Sequence, residues 1–424
     1  MKKEIFLVTK NLRYKNNTLF FEEVKLEDIV KEYGTPVYVY SKNRIIENFT
    51  NYDLAFKNRQ HLICYAMKAN SNKTILKIIK NLGGGVDITS GGELYRALNA
   101  GVKPQKIVYA GVGKTEQEIV FAIKSKILIF NVESRDEVVL INSIAKKLNK
   151  KVFVAVRVNP EVVTGTHSHI STGEEGTKFG IPIDEMIDFA KFVLQNKNLN
   201  FCGLHFHIGS QITQTKPFLD ATTKVVSLIP KLAQLGITIK YFDIGGGLGI
   251  RYKEETPPTP QELLDGLLKI IPKGLKIICE PGRYIVGNSG VLITKVLFTK
   301  PVRKKKFLIV DASMTDLIRP AFYDAYHNIQ PLVYKTKNGC QDVEVYDIVG
   351  PVCETSDFLG KNRPLPKISN GEYLVIECAG AYGFAMSSNY NSRLKSAEVM
   401  VDKDKHFLIR KRENYPDLVE KEVK

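Results

Sequence analysis

No stretch of this 424-residue sequence is apolar for long enough to cross a bilayer, so no membrane span is expected. The N-terminus, Met1-Lys2-Lys3-Glu4-Ile5-Phe6-Leu7-Val8, has a short apolar patch but no small-residue cleavage site. It reads as a strand, not as a secretion signal. Cysteine is sparse: Cys64, Cys202, Cys279, Cys340, Cys353 and Cys378 contain no C-x-x-C pair. A large chain without a secretion signal points away from a disulfide framework and towards reduced thiols in the cytoplasm. Several of these cysteines sit inside apolar runs and read as packing residues. Internal repeats, low-complexity segments and long linkers are missing too. The net charge is +16, yet the lysines do not cluster. The longest basic run, Arg303-Lys304-Lys305-Lys306, stands before an apolar strand and reads as a solvated turn. Nucleic-acid binding is therefore not expected, while a positive surface suits anionic small molecules.

What the chain has is length for two domains and, at 44% hydrophobic residues, material for a substantial core. Residues 5–21 read as short strands around an Asn16-Asn17 turn. Apolar strands then alternate with amphipathic helices. The strands are expected at 62–66, 86–88, 107–110, 127–131, 152–158, 201–207, 239–244 and 276–280. The helices are expected at 73–81, 93–100, 116–123, 135–148, 184–195, 217–235 and 260–271. Eight strands alternating with helices predict a (β/α)8 barrel, with a doubly wound sheet as the alternative. Further strands are expected at 291–298, 307–311, 343–349, 373–378 and 406–410. Strands at both ends of the chain predict a discontinuous all-β domain from residues 1–35 and 286–424, around a barrel at 36–285.

In such a barrel the site lies at the C-terminal ends of the strands. Unusual residues fall there in turn. The first strand delivers Lys68 in Tyr65-Ala66-Met67-Lys68-Ala69-Asn70, and the second delivers Asp87. The sixth delivers His205, His207 and Ser210, the seventh Asp243 and Gly245-Gly246-Gly247, and the eighth Glu280-Pro281-Gly282-Arg283-Tyr284. A lysine with a depressed pKa is a nucleophilic amine, the usual Schiff-base former. Alone, Lys68 would read as a surface residue at a strand end. The three glycines bring backbone N–H groups close to an anion, or else mark a tight turn. Arg283 offers a planar fork for phosphate. The His205-x-His207 pair, like His167-Ser168-His169, has a spacing that also suits a metal, but no carboxylate set at familiar spacing accompanies it. Glu280 beside a phosphate loop makes sense facing a cationic ring nitrogen. Lysine, phosphate loop, flat imidazole and acid together describe a pyridoxal phosphate site, with no metal.

These motifs, with Ile318–His327, Gly350–Asp357 and Ala379–Gly383, give the chain a close resemblance to the barrel-type (fold type III) pyridoxal-phosphate decarboxylases, specifically the diaminopimelate decarboxylases. The matching segments run from about Gly34 to Tyr390. Thr355 stands where serine is commoner in that family. The resemblance implies decarboxylation of meso-2,6-diaminopimelate to L-lysine and CO2, the last step of lysine biosynthesis, in a homodimer with shared sites. It implies that Lys68 carries the cofactor, His207 stacks on its ring and Glu280 pairs with the pyridine nitrogen. Asp87, Ser210, Gly245, Gly246, Gly247, Gly282 and Arg283 would complete the cofactor site. Arg319, Tyr323 and Glu354 would grip the substrate's distal end, with Arg283 also meeting substrate. Tyr382 would touch cofactor and substrate, and Cys353 would be the proton donor. Cys353 follows a Gly-Pro turn and precedes a charged residue, which argues against deep burial.

Three rivals stand beside this reading. One is a related decarboxylase acting on ornithine, arginine or a carboxylated polyamine. Another is a metal-dependent barrel hydrolase using the H-x-H pairs. The third is a non-catalytic regulatory homologue.

Overall fold

The computed structural model describes residues 7–163, 173, 176–335 and 343–423. His167-Ser168-His169, most of the 163–180 loop and Cys340 lie outside the described residues. So does most of the strand expected over 1–8; its described end, Leu7 and Val8, is not in a strand. The chain forms two compact units. One comprises Ile46–Ile250 with Thr256–Tyr284, the other Met1–Ile45, Arg251–Glu255 and Ile285–Lys424.

The first unit is an eight-stranded parallel barrel. Its strands are His61–Ala66, Gly85–Ile88, Ile107–Tyr109, Ile129–Val132, Val152–Asn159, Leu199–His205, Tyr241–Asp243 and Lys276–Cys279. Each pairs in parallel with the next, and Ile277 opposite His61 closes the ring. Strands buried on both faces carry continuous apolar runs, which is why they are legible as blocks. Leu62, Cys64, Val108, Ile129, Ala155, Cys202 and Ile278 pack as one interior cluster. Cys64 and Cys202 are thus packing residues, and burial pushes both thiols up, Cys202 to about 12.

Caps fix where the helices begin. Asn72, Ser90, Thr115, Ser134 and Thr259 each accept a hydrogen bond from a backbone N–H of the first helical turn, and Thr115 and Thr259 form full capping boxes. One expected helix, over 217–235, is broken into Lys216–Val226 and Leu228–Gln234. Pro230 is the cause: it lacks the N–H that would continue the ladder, so the chain restarts with Pro230 in a first turn.

The second unit is mainly one mixed sheet. In spatial order its strands are Phe358–Pro366, Val343–Val349, Lys305–Val310, Gly290–Val302, Val37–Ser41, Ala397–Asp402 and Lys405–Arg410. Tyr373–Ile376 pairs with Gly290–Val302 and with Ile329–Pro331. The hairpin Leu12–Lys15 to Thr18–Phe21 turns through Asn16 and Asn17, both at positive φ (50° and 63°). Residues 37–45, read from sequence as the start of the barrel, lie in this unit. Val37–Ser41 is buried at every position and pairs with Gly290–Ile293 and Ala397–Val401, so its pattern looks like a barrel strand.

Candidate active site

Lys68 sits in a single 3-10 turn, Met67–Ala69, directly after the first barrel strand. The Tyr65 hydroxyl donates to the Asn70 carbonyl at 2.8 Å and pins this turn. Asn70 Oδ1 accepts from Asn72 N, and Asn72 caps the next helix. The loop after the eighth strand packs directly against the turn. A Cβ on Gly282 would stand 3.1 Å from the Cβ atoms of both Ala66 and Ala69, and Ala66 N donates to Pro281 O. Gly282 is therefore required by the close approach of the two loops.

Three buried carboxyl groups, Asp87, Asp243 and Glu280, lie on or just after barrel strands near the one that Lys68 follows. Asp87 lies in the second strand with its Oδ2 3.5 Å from Lys68 Nζ. Burial first, then the Glu280 charge, push its carboxyl well above the usual range, with Lys68 opposing. Asp243 ends the seventh strand, and its Oδ1 accepts from Gly245 N at 2.9 Å. Burial and Glu280 push it up as well. Glu280 differs. Burial would raise it, but His205 first and then Lys68 oppose burial, and the carboxyl is held at about 2. His205 Nε2 lies 3.3 Å from Glu280 Oε2, and Asn131 Nδ2 donates to Oε1 at 3.5 Å. One negative charge is thus concentrated on Glu280 among two carboxyls that resist ionisation.

His207 Nδ1 accepts from Gly246 N at 3.2 Å, so Nδ1 carries no proton. Burial, then Lys68 and Arg157, hold this imidazole well below its usual pKa, with Glu280 opposing. It is a flat, neutral ring. His205, Asp243 and Glu280 do present ligand atoms within 4.8 Å of one another, a spacing a metal could use. His207 takes a different partner, so the H-x-H pair is not the unit that converges there.

The glycine loop also has a packing reason for its residues. A Cβ would stand 2.3 Å from Phe206 O at Gly245, 2.2 Å from Glu280 O at Gly246 and 2.5 Å from Gly209 O at Gly247. Glycine is required because the loop is wedged between the ends of neighbouring strands. The N–H groups of Gly245 and Gly246 engage Asp243 and His207, not an open anion site. Beside it, Arg283 donates through Nη2 to Ser210 Oγ at 3.0 Å. That guanidinium and hydroxyl are donors suited to phosphate. An amine, an ionised buried acid, a neutral imidazole and a guanidinium–hydroxyl donor pair fit pyridoxal phosphate chemically.

The remaining residues belong to the other unit. Arg319 and Tyr323 share the short helix Arg319–Tyr323; Arg319 is buried and Tyr323 packs edge-on against Phe322. Cys353 and Glu354 are exposed, as their sequence context predicts. Cys353 N donates to Asn391 Oδ1 at 3.0 Å, and the Tyr390 hydroxyl donates to Glu354 Oε1 at 2.5 Å. Tyr382 holds φ at +57°, a backbone region costly for a side-chain-bearing residue and common at functional sites.

Sequence reading gave no role to Asn131, Asp243, Tyr390 or Asn391. Asn131 and Asp243 carried a usable signal, since each is a polar residue at the end of an apolar barrel strand. Tyr390 and Asn391 carried none, because their contact with Cys353 and Glu354 spans 36–38 residues.

Comparison with known proteins places this geometry. The description "Pyridoxal-dependent decarboxylase, pyridoxal binding domain" matches residues 42–287, so the barrel is a pyridoxal-binding domain. The chain is 52% identical to the diaminopimelate decarboxylase of Aquifex aeolicus over 412 residues, 96% of each chain. The solved structure of the Helicobacter pylori diaminopimelate decarboxylase, complexed with L-lysine, is 42% identical with a TM-score of 0.89, covering 93% of this chain and 98% of that one. That of the M. jannaschii enzyme, also with L-lysine, is 38% identical with a TM-score of 0.93 over 99% of both chains. Identity sustained across both units, on a barrel of this construction, means that the chain belongs to the diaminopimelate decarboxylase family of pyridoxal-dependent decarboxylases.

Proposed function

We propose that the chain decarboxylates meso-2,6-diaminopimelate to L-lysine and CO2 with pyridoxal phosphate. The observation that carries the chemistry is Glu280, buried and held ionised by His205 in the same barrel mouth as Lys68. When bound, the cofactor supplies an aldehyde for the substrate amine and an electron sink for the pair left on Cα as CO2 departs.

The chain's own residues would divide the work as follows. Lys68 Nζ would be the amine that holds the cofactor. Glu280, braced by His205 and Asn131, keeps a proton on the pyridine nitrogen. His207 lies against the ring as a neutral plane. Ser210 and Arg283 hold the phosphate beside Gly245–Gly247 and Gly282, and Asp87 lies next to Lys68. Arg319 holds the distal carboxylate, with Tyr323 beside it, and Glu354 holds the distal amine. Tyr382 closes the site, and Cys353 returns a proton to Cα. Two chains would share their sites: Cys353 and Glu354 are exposed in the single chain, whereas a proton donor works best where water is excluded. Among the described residues no helix is long and apolar enough to cross a membrane. A cytoplasmic location is the reading that suits unpaired thiols.

The test is CO2 release from diaminopimelate, lysine, ornithine, arginine and a carboxylated polyamine. Release from diaminopimelate alone is expected, because Arg319 has no distal carboxylate to bind in a plain diamine precursor. Comparable release from ornithine or arginine would reject the substrate assignment.

A further inference from the structure

Arg319 is a guanidinium only 7% exposed, on a helix too short to hold it by itself. Burial of a cation requires partners that satisfy its donors. One of its partners is an uncharged ring. His327, fully buried, presents Nε2 at 2.7 Å from Arg319 Nη1. Its other nitrogen, Nδ1, lies 2.8 Å from the Glu377 carbonyl oxygen. A carbonyl only accepts and a guanidinium only donates, so Nδ1 carries the proton and Nε2 does not. The two contacts thus select one neutral tautomer. Glu377 is anchored in turn: its N–H donates to Asn328 O, and its Oε1 accepts from Asn328 Nδ2 at 2.6 Å. Tyr252 adds a wall. Its ring lies 4.7 Å from the Arg319 guanidinium and stands edge-on to the His327 ring at 5.4 Å and 83°.

We propose that His327 is a positioning residue for substrate specificity, aiming Arg319 at the distal carboxylate without neutralising it. The inference rests on the reading of Arg319 given above. A carboxylate in place of His327 would hold Arg319 more tightly, but its charge would compete with the substrate's. A neutral imidazole fixes the direction of the fork and itself takes up none of the positive charge. Fixing the fork before binding removes an ordering cost that would otherwise weaken binding.

The test compares Arg319→Ala, His327→Gln and His327→Asn in the cofactor-loaded enzyme. Glutamine places its Oε1 where Nε2 stands and keeps the acceptor for Arg319. Asparagine keeps the donor to Glu377 and cannot reach Arg319. Arg319→Ala should raise KM for diaminopimelate at least about tenfold, the loss expected for one charge-assisted hydrogen bond. His327→Asn should also raise KM about tenfold, with kcat within about threefold and unchanged cofactor absorbance. His327→Gln should return KM to within about threefold of the parent. If Arg319→Ala leaves KM unchanged, the reading of Arg319 fails and this inference fails with it. If Arg319→Ala raises KM but the two His327 variants behave alike, Arg319 keeps its role and the positioning of Arg319 by His327 is overturned. Loss of kcat, absorbance and melting temperature together in both His327 variants would likewise overturn it, leaving a purely structural histidine.

Discussion

His205 and Glu280 meet at 3.3 Å with only 1% and 3% of their side chains exposed. The pair decides which of three neighbouring carboxyls is charged. Burial works to raise the Glu280 pKa, and His205 is foremost among the groups that lower it. His205→Leu should therefore lower kcat about tenfold or more, as should Glu280→Gln, with the fold intact by circular dichroism. Because both act through one charge, the double variant should be little worse than either single one. Losses that multiply in the double variant would show that the two residues act separately.

The same three carboxyls set a pH dependence of stability. Glu280 is depressed from 4.5 to about 2, so its contribution is present above its unfolded value and is lost as pH falls towards 2. Asp87 and Asp243 are raised, so the folded chain binds more protons than the unfolded one from about pH 4 upward. Their contribution is present at acid pH and lost as pH rises through their folded values. In cofactor-free protein, Asp87→Asn should raise the melting temperature at pH 8 by about 2 °C or more, and by less at pH 5. Equal shifts at both values, followed by calorimetry, would show that Asp87 is not a source of buried strain.

The barrel is legible because its strands are mostly apolar runs, and the candidate barrel residues stand in the last positions of a run or just after it. Lys68, Asp87, His207 and Glu280 are where that rule puts them. The outer sheet was read in part. Phe358–Pro366 contains Gly360, Lys361, Asn362 and two prolines, and reads as a loop. Ala397–Asp402 hides because an acidic residue, Glu398, stands fully buried within it; Tyr40, far away in the chain, and Arg410, on the next strand, hold it. The crowding of the glycine loop is not legible in the sequence. Sequence shows the glycines, not the Phe206, Gly209 and Glu280 carbonyls that exclude a side chain there.

That crowding carries its own prediction. Gly246→Ala would put a Cβ 2.2 Å from Glu280 O, and the atoms it meets are the Glu280 and Pro281 backbone, which leaves little room to yield. The variant should lose about 1–3 kcal/mol in denaturant unfolding and retain less cofactor by absorbance. Gly113→Ala is the control, since a Cβ there meets nothing within 4 Å. Equal midpoints for the two variants would remove packing as the reason for Gly246.

The shared-site proposal is tested by mixing lesions. Lys68 lies on the barrel, whereas Cys353 lies in the unit built from the chain ends and is exposed in the single chain. If each chain lends Cys353 to a second copy across a two-fold axis, a mixed dimer of Lys68→Ala and Cys353→Ala chains has one site with both lesions and one with neither. Activity should then rise above the sum of the separate proteins once subunits exchange. Sites built within one chain would each keep a lesion, and mixing would change nothing. Cys353→Ala alone should retain slow turnover, because a general acid contributes about 10²–10⁴-fold and other donors can substitute in part. The informative quantity is therefore the excess over the sum, measured after exchange has been verified with tagged subunits. No excess under verified exchange would reject the shared site and return Cys353 to its own barrel.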